Sequence, residues 1–173
     1  MFSVWLNITA QLIGFAGIAV NALIYQQKNR ESLLKMKLTS DVIWAVHYLM
    51  IEAYTATAVA CLGVLREFVF MKRKKASSLI CFLILALLSA VITWNGCVSL
   101  LPSAASVTSV VSFYLGIPCV SRITAFPISI CMGIYSALNG SYAGVANEIL
   151  TVISPVVGLI RSRKIIDEEQ IKA

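Results

Sequence analysis

Charge is scarce in this chain of 173 residues, where Asp, Glu, Lys and Arg together make up 13%. Soluble domains carry about 25% charged residues. With 59% apolar residues, too little polar surface remains here to hold a water-soluble fold in solution. Histidine occurs once, at His47, so no spacing of paired histidine ligands exists and no metal site is expected. The five cysteines, Cys61, Cys81, Cys97, Cys119 and Cys131, form no C-x-x-C pair and mostly fall inside apolar runs. Cysteine in that setting behaves as a small hydrophobe, so neither a disulfide framework nor structural zinc is expected. No Lys or Arg precedes the first apolar run, which begins MFSVWLN. A cleavable signal peptide needs a basic start, so this segment is expected to stay in the mature protein. A nucleophile elbow and a phosphate-cradling glycine loop are also missing. The expectation is a protein that is not an enzyme and holds no cofactor.

What is present is a set of apolar runs, at about 3–25, 38–71, 76–121 and 123–160, separated by basic clusters. The net charge of +6 therefore reads as a topology signal rather than as a nucleic-acid footprint. A membrane-spanning helix needs about 20 residues, with about 17 as a lower limit. The first run makes one crossing. Each later run is too long for one crossing and has basic flanks at both ends, so each is expected to form a helix pair. That predicts seven short transmembrane helices in an all-α, polytopic membrane protein. Turns are expected near Ala53–Tyr54, at Asn95–Gly96 through Leu101–Pro102, and at Asn139–Gly140–Ser141. All 14 Lys and Arg then lie on the cytoplasmic side, Arg66 by reaching inward from its helix. Trp5, Tyr54, Trp94 and Tyr142 fall near the outer interface, which puts the N-terminus outside and the C-terminus in the cytoplasm.

The seven helices divide as 3 + 1 + 3: a first unit at 1–75, a linker helix at 76–96, a second unit at 97–164 and a cytoplasmic tail at 165–173. Residues 47–75 align without gaps onto 135–163, an offset of 88. The identical pairs include Tyr54 with Tyr142, Ala58 with Ala146, Leu62 with Leu150 and Arg73 with Arg161. The two units point the same way, so the repeat is parallel.

Several stretches carry a family likeness: LIGFAGIAVNALIYQQKNRESLLKMKL and IWAVHYLMIEAY in the first half, IYSALNGSYAGVANEI and GLIRSRK in the second. In these the chain resembles the YgjV-type bacterial inner membrane proteins, related to the SWEET and PQ-loop small transporters. The resemblance implies two three-helix bundles joined by an inverting helix, with a small-molecule path between them. No Pro-Gln dipeptide marks the first helix of either unit, so the PQ-loop hinge does not carry over.

Polar groups inside a bilayer tend to face a cavity or another helix. Gln11, Gly14, Gly17 and Asn21 share one face of helix 1. Ser103, Ser106, Ser109 and Ser112 do so on helix 5, and Asn147, Thr151 and Ser154 on helix 7. Close helix packing explains such stripes as well as a cavity does, and is preferred for Gly140 and Gly144. His47 is expected about 10 Å below the outer interface, level with its repeat partner Tyr135 and with Asn147 and Glu148. These four, with Trp44 one turn from His47 and with Asn21, form the candidate substrate-binding set. His47 is either a proton-coupling group or a neutral ring satisfied by its neighbours. Adjacent residues on a helix point about 100° apart, so Asn147 and Glu148 are not expected to face the same cavity. Asp41, after Thr39 and Ser40, reads as a helix N-terminal cap, and Pro127 and Pro155 as kinks. The leading reading is a transporter moving a polar metabolite through a cavity between two three-helix bundles by alternating access. Beside it stands a non-transporting receptor, scaffold or partner-binding module. The expected partners are the lipid bilayer and a small-molecule substrate but no nucleic acid. A homo-oligomer is left open.

Overall fold

The computed structural model describes residues 2–24, 26–72, 75–153 and 156, with side chains from residue 7 onward. Ser154, Pro155, the basic end Arg161–Lys164, the 165–173 tail and the side chain of Trp5 lie outside the described residues. Among them the chain is all-helical: α1 (Phe2–Ile24), α2 (Arg30–Met50), α3 (Tyr54–Lys72), α4 (Ala76–Ile92), α5 (Leu100–Leu115), α6 (Pro118–Leu138) and α7 (Tyr142–Ile153). A short 3₁₀ turn, Cys97–Ser99, leads into α5. The segments Asn7–Ile24, Tyr54–Lys72, Cys97–Leu115 and Pro118–Leu138 are long and apolar enough to cross a membrane. α4 and α7 are shorter apolar helices.

Burial runs opposite to that of a water-soluble protein. Leu12, Phe15, Leu87 and Ile92 point outward, while Ser103, Ser106, Ser109, Ser112 and Ser136 are buried. Lipid solvates the large apolar side chains, and small residues let the helices approach one another. The stripe on α1 shows this contact. A Cβ on Gly14 would meet Ala143 of α7 and His47 of α2, and one on Gly17 would meet Trp44.

Two boundaries differ from the sequence expectation for one reason. α2 starts at Arg30, not at residue 38, with Asn29 accepting a hydrogen bond from the Ser32 amide at 2.8 Å. α6 likewise starts at Pro118 and carries Arg122 within it. Hydropathy marks where charges begin, but a helix continues past the apolar run when its charges find partners. Glu31 and Lys35 pair one turn apart at 2.6 Å, and Lys35 holds the exposed Glu31 carboxyl below its usual range. Arg30 donates to the Phe70 carbonyl at 2.8 Å, tying α2 to the end of α3. Asp41 is therefore in the middle of α2, and its reading as an N-cap is corrected. α4 ends at Ile92, before the residue-96 boundary, because Gly96 turns the chain with a φ of 76°.

The turns after α2 and α6 match bond for bond at the offset of 88. Ala53 N donates to Tyr48 O at 2.9 Å, as Ser141 N does to Ser136 O. Glu52 N donates to Leu49 O and Gly140 N to Ala137 O, while Glu52 and Gly140 take φ of 60° and 66°. The ends of α6 are those of α2 shifted by the same offset. The Tyr48 and Ser136 hydroxyls, themselves an equivalent pair, meet at 3.1 Å.

Candidate functional site

Between two apolar clusters lies a cavity of about 100 Å³. One cluster contains Ile24, Leu33, Phe70 and Phe113, and the other Trp44, Ala53, Ala56 and Tyr135. Both halves of the chain line the cavity. Four lining pairs stand 88 residues apart: Asn21 with Ser109, Trp44 with Met132, Val59 with Asn147, and Ala60 with Glu148. The positions are equivalent but the chemistry is not. At the level of α3 and α7, the polar side is the α7 side.

A directed hydrogen-bond chain crosses this level. Ser40 Oγ donates to Asn21 Oδ1, Asn21 Nδ2 donates to Asn147 Oδ1 at 2.8 Å, and Asn147 Nδ2 donates to Glu148 Oε1 at 2.8 Å. Each amide presents its NH₂ toward the carboxylate and its oxygen back toward Ser40. The chain joins α2, α1 and α7. Asn147 and Glu148 both line the cavity, unlike the expectation from their 100° separation, because the cavity spans the arc between them.

A cluster of charges occupies one end. Lys37 pairs with Asp41, and Arg66 reaches Asp41 at 3.8 Å. Arg66 also donates twice to Glu67, at 2.7 and 2.8 Å. Arg66 and Glu67 are buried, so Arg66 does not reach inward to the interface as expected but pairs within the helix bundle. The Phe113 ring lies 5.5 Å from the Arg66 guanidinium. Gly63 makes room for this cluster, since a Cβ there would strike the Asp41 carboxylate. The sequence reading left Lys37, Asp41, Arg66 and Glu67 out of the candidate site. The spacing of Asp41 four residues after Lys37, and the Arg66–Glu67 pair inside an apolar run, were the available signals.

Of the sequence-derived candidates, Asn21, Trp44, Asn147 and Glu148 line the cavity, whereas His47 and Tyr135 do not. His47 is fully buried, with Nδ1 2.8 Å from the Ala10 carbonyl and Nε2 2.7 Å from Ser141 Oγ. The carbonyl only accepts, so Nδ1 carries the proton. Ser141 Oγ also accepts from the Gly144 amide at 3.0 Å. His47 thus joins α2 to α1 and to the start of α7. Gln11 reinforces that junction by accepting from the Ala143 amide at 2.9 Å. Tyr135 sits against Thr55 and Ala56 of α3. Trp44 stands edge-on to His47, ring centroids 5.1 Å apart, and packs on Tyr48 at 5.5 Å. Among the described residues no group of His, Cys, Asp and Glu has the arrangement of a metal site.

An apolar exterior, spans of membrane length and an interior of small and polar side chains define a polytopic helical membrane protein. The family model Imp-YgjV, bacterial inner membrane protein, matches residues 8–165, and the chain belongs to that family. No match was found among curated proteins or among solved structures.

Proposed function

We propose that the protein is a small-molecule transporter of the bacterial inner membrane, with a SWEET-like arrangement of two three-helix units joined by α4. The observation that carries this reading is the cavity, which holds polar and charged side chains and is lined by both halves at positions 88 residues apart. A buried site on the axis of a repeat is where rocking of one unit against the other exposes a bound solute to each side in turn. The matched turns after α2 and α6 and the Tyr48–Ser136 contact support two equivalent units. Desolvating Lys37, Asp41, Arg66, Glu67 and Glu148 inside a bundle is unfavourable. Intramembrane charges of this kind mark solute paths more often than plain structure. Lys28, Arg30, Lys35, Lys37, Lys72, Lys75 and Arg122 gather at one end of the bundle, which supports a cytoplasmic α1–α2 turn and an external N-terminus.

The test is uptake of a pooled metabolite mixture into proteoliposomes, read by mass spectrometry against empty vesicles and against an Asn21→Ala/Asn147→Ala variant. Protein-dependent uptake that the variant lacks is expected. A folded, inserted protein that moves no solute overturns transport in favour of a receptor or scaffold.

A further inference from the structure

The ionisable groups around the cavity do not balance. Lys37 and Arg66 are matched by Asp41 and Glu67, through the contacts described above. Those four sum to zero. Glu148 is the fifth group, and the side chain that hydrogen-bonds to it, Asn147, is neutral. Among the described residues, no Lys or Arg forms an ion pair with it. Lys37, the cation that acts on it across the cavity, is committed to Asp41. A carboxylate in a membrane interior without a counter-ion is an incomplete site.

Several other lining groups on the Glu148 side suit a cation. The Asn21–Asn147 chain ends with Glu148 as acceptor. Thr151, 6% exposed and one turn beyond Glu148 on α7, lines the cavity, and its hydroxyl has no hydrogen-bond partner among the described residues. Trp44 and Tyr48 add aromatic rings to the same wall, and Tyr48 lies close enough to interact with the Glu148 charge. Aromatic rings beside a carboxylate attract an alkylammonium group from two directions. Space of about 100 Å³ suits a small solute.

We infer that the cavity binds a small organic cation, an amine-bearing solute whose ammonium group pairs with Glu148 while Thr151 accepts one of its hydrogen bonds. This deepens the transport reading by naming its substrate class, and it rests on that reading only for movement across the membrane, not for binding.

The probes are methylammonium and ethanolamine, set against neutral ethylene glycol and anionic acetate at equal ionic strength. Binding is read from the thermal shift of the purified full-length protein, and flux from uptake of labelled methylammonium into proteoliposomes. Both cations are expected to stabilise the wild-type protein saturably, the neutral and anionic solutes not. Glu148→Gln, which keeps an acceptor for Asn147, is expected to weaken cation binding at least tenfold, and Glu148→Asp to retain part of it. A wild-type protein stabilised equally by all four solutes, or by none, overturns the proposal without recourse to any variant. So does undiminished cation binding in Glu148→Gln. Cation binding without flux leaves the proposal standing and overturns transport. Flux of a neutral or anionic metabolite that survives Glu148→Gln does the reverse.

Discussion

Glu52 holds a left-handed backbone, φ 60°, at the position its counterpart fills with Gly140, φ 66°. A side chain in that region is disfavoured by about 1–2 kcal/mol, whereas glycine is not. Glu52 is exposed, and a Cβ at Gly140 would meet nothing within 4 Å, so backbone strain alone decides both sites. Glu52→Gly is expected to raise stability by about 1 kcal/mol and Gly140→Ala to lower it by a similar amount, read as opposite shifts in thermal unfolding. The buried ion pair behaves differently. Removing one partner strands a charge, so Glu67→Met or Arg66→Met is expected to cost about 3–5 kcal/mol. The double change Arg66→Met/Glu67→Met removes both charges and is expected to recover most of that loss, as a double-mutant cycle of melting temperatures would show.

At the scale of elements, α1 is seated by what it lacks. Gly14 and Gly17 leave room for His47 and Trp44 of α2 and for Ala143 of α7. Gln11 and Asn21 then reach α7 at two levels, the Ala143 amide and Asn147. A larger side chain at either glycine pushes the helix away and breaks both links. Gly14→Leu is expected to lower the melting temperature strongly and to abolish solute binding, while Leu12→Ala, on the outward face, leaves both unchanged. Equal tolerance of the two changes would show that α1 is not held through this face. The helices themselves were legible from apolar runs and turn residues. The start of α2 was not, because hydropathy treats Arg30, Lys35 and Lys37 as the end of a span. In the fold they are instead satisfied by Phe70 O, Glu31 and Asp41.

At the scale of the whole molecule, alternation of the helices puts the α4–α5 connection and the start of α6 on opposite sides of the bilayer. Each carries a native cysteine, Cys97 and Cys119, both exposed and free. With an external N-terminus, a membrane-impermeant maleimide added to intact spheroplasts is expected to label Cys97 and to reach Cys119 only after permeabilisation. Measurement uses single-cysteine variants, and the reverse pattern would invert the topology. Half of the candidate site could be read from spacing. Asn21, Asn147 and Glu148 stood out as polar residues in apolar helices. His47 stood out for the same reason, yet its two ring nitrogens are used up by Ala10 and Ser141. Polarity at a given depth does not say which way a side chain turns.

The sequence by itself determined that this is a many-helix membrane protein and roughly where its helices turn. These follow from local quantities: apolar length against bilayer thickness, and Gly, Asn and Ser where the chain reverses. Only the tertiary structure decided which polar groups meet one another. Asn21 and Asn147 are 126 residues apart, and Asp41 and Arg66 lie on different helices. Their pairing depends on helix rotation and on the glycines that set helix separation, and neither is a property of any single segment. Glu148 stands apart only once Lys37, Asp41, Arg66 and Glu67 have met one another in space.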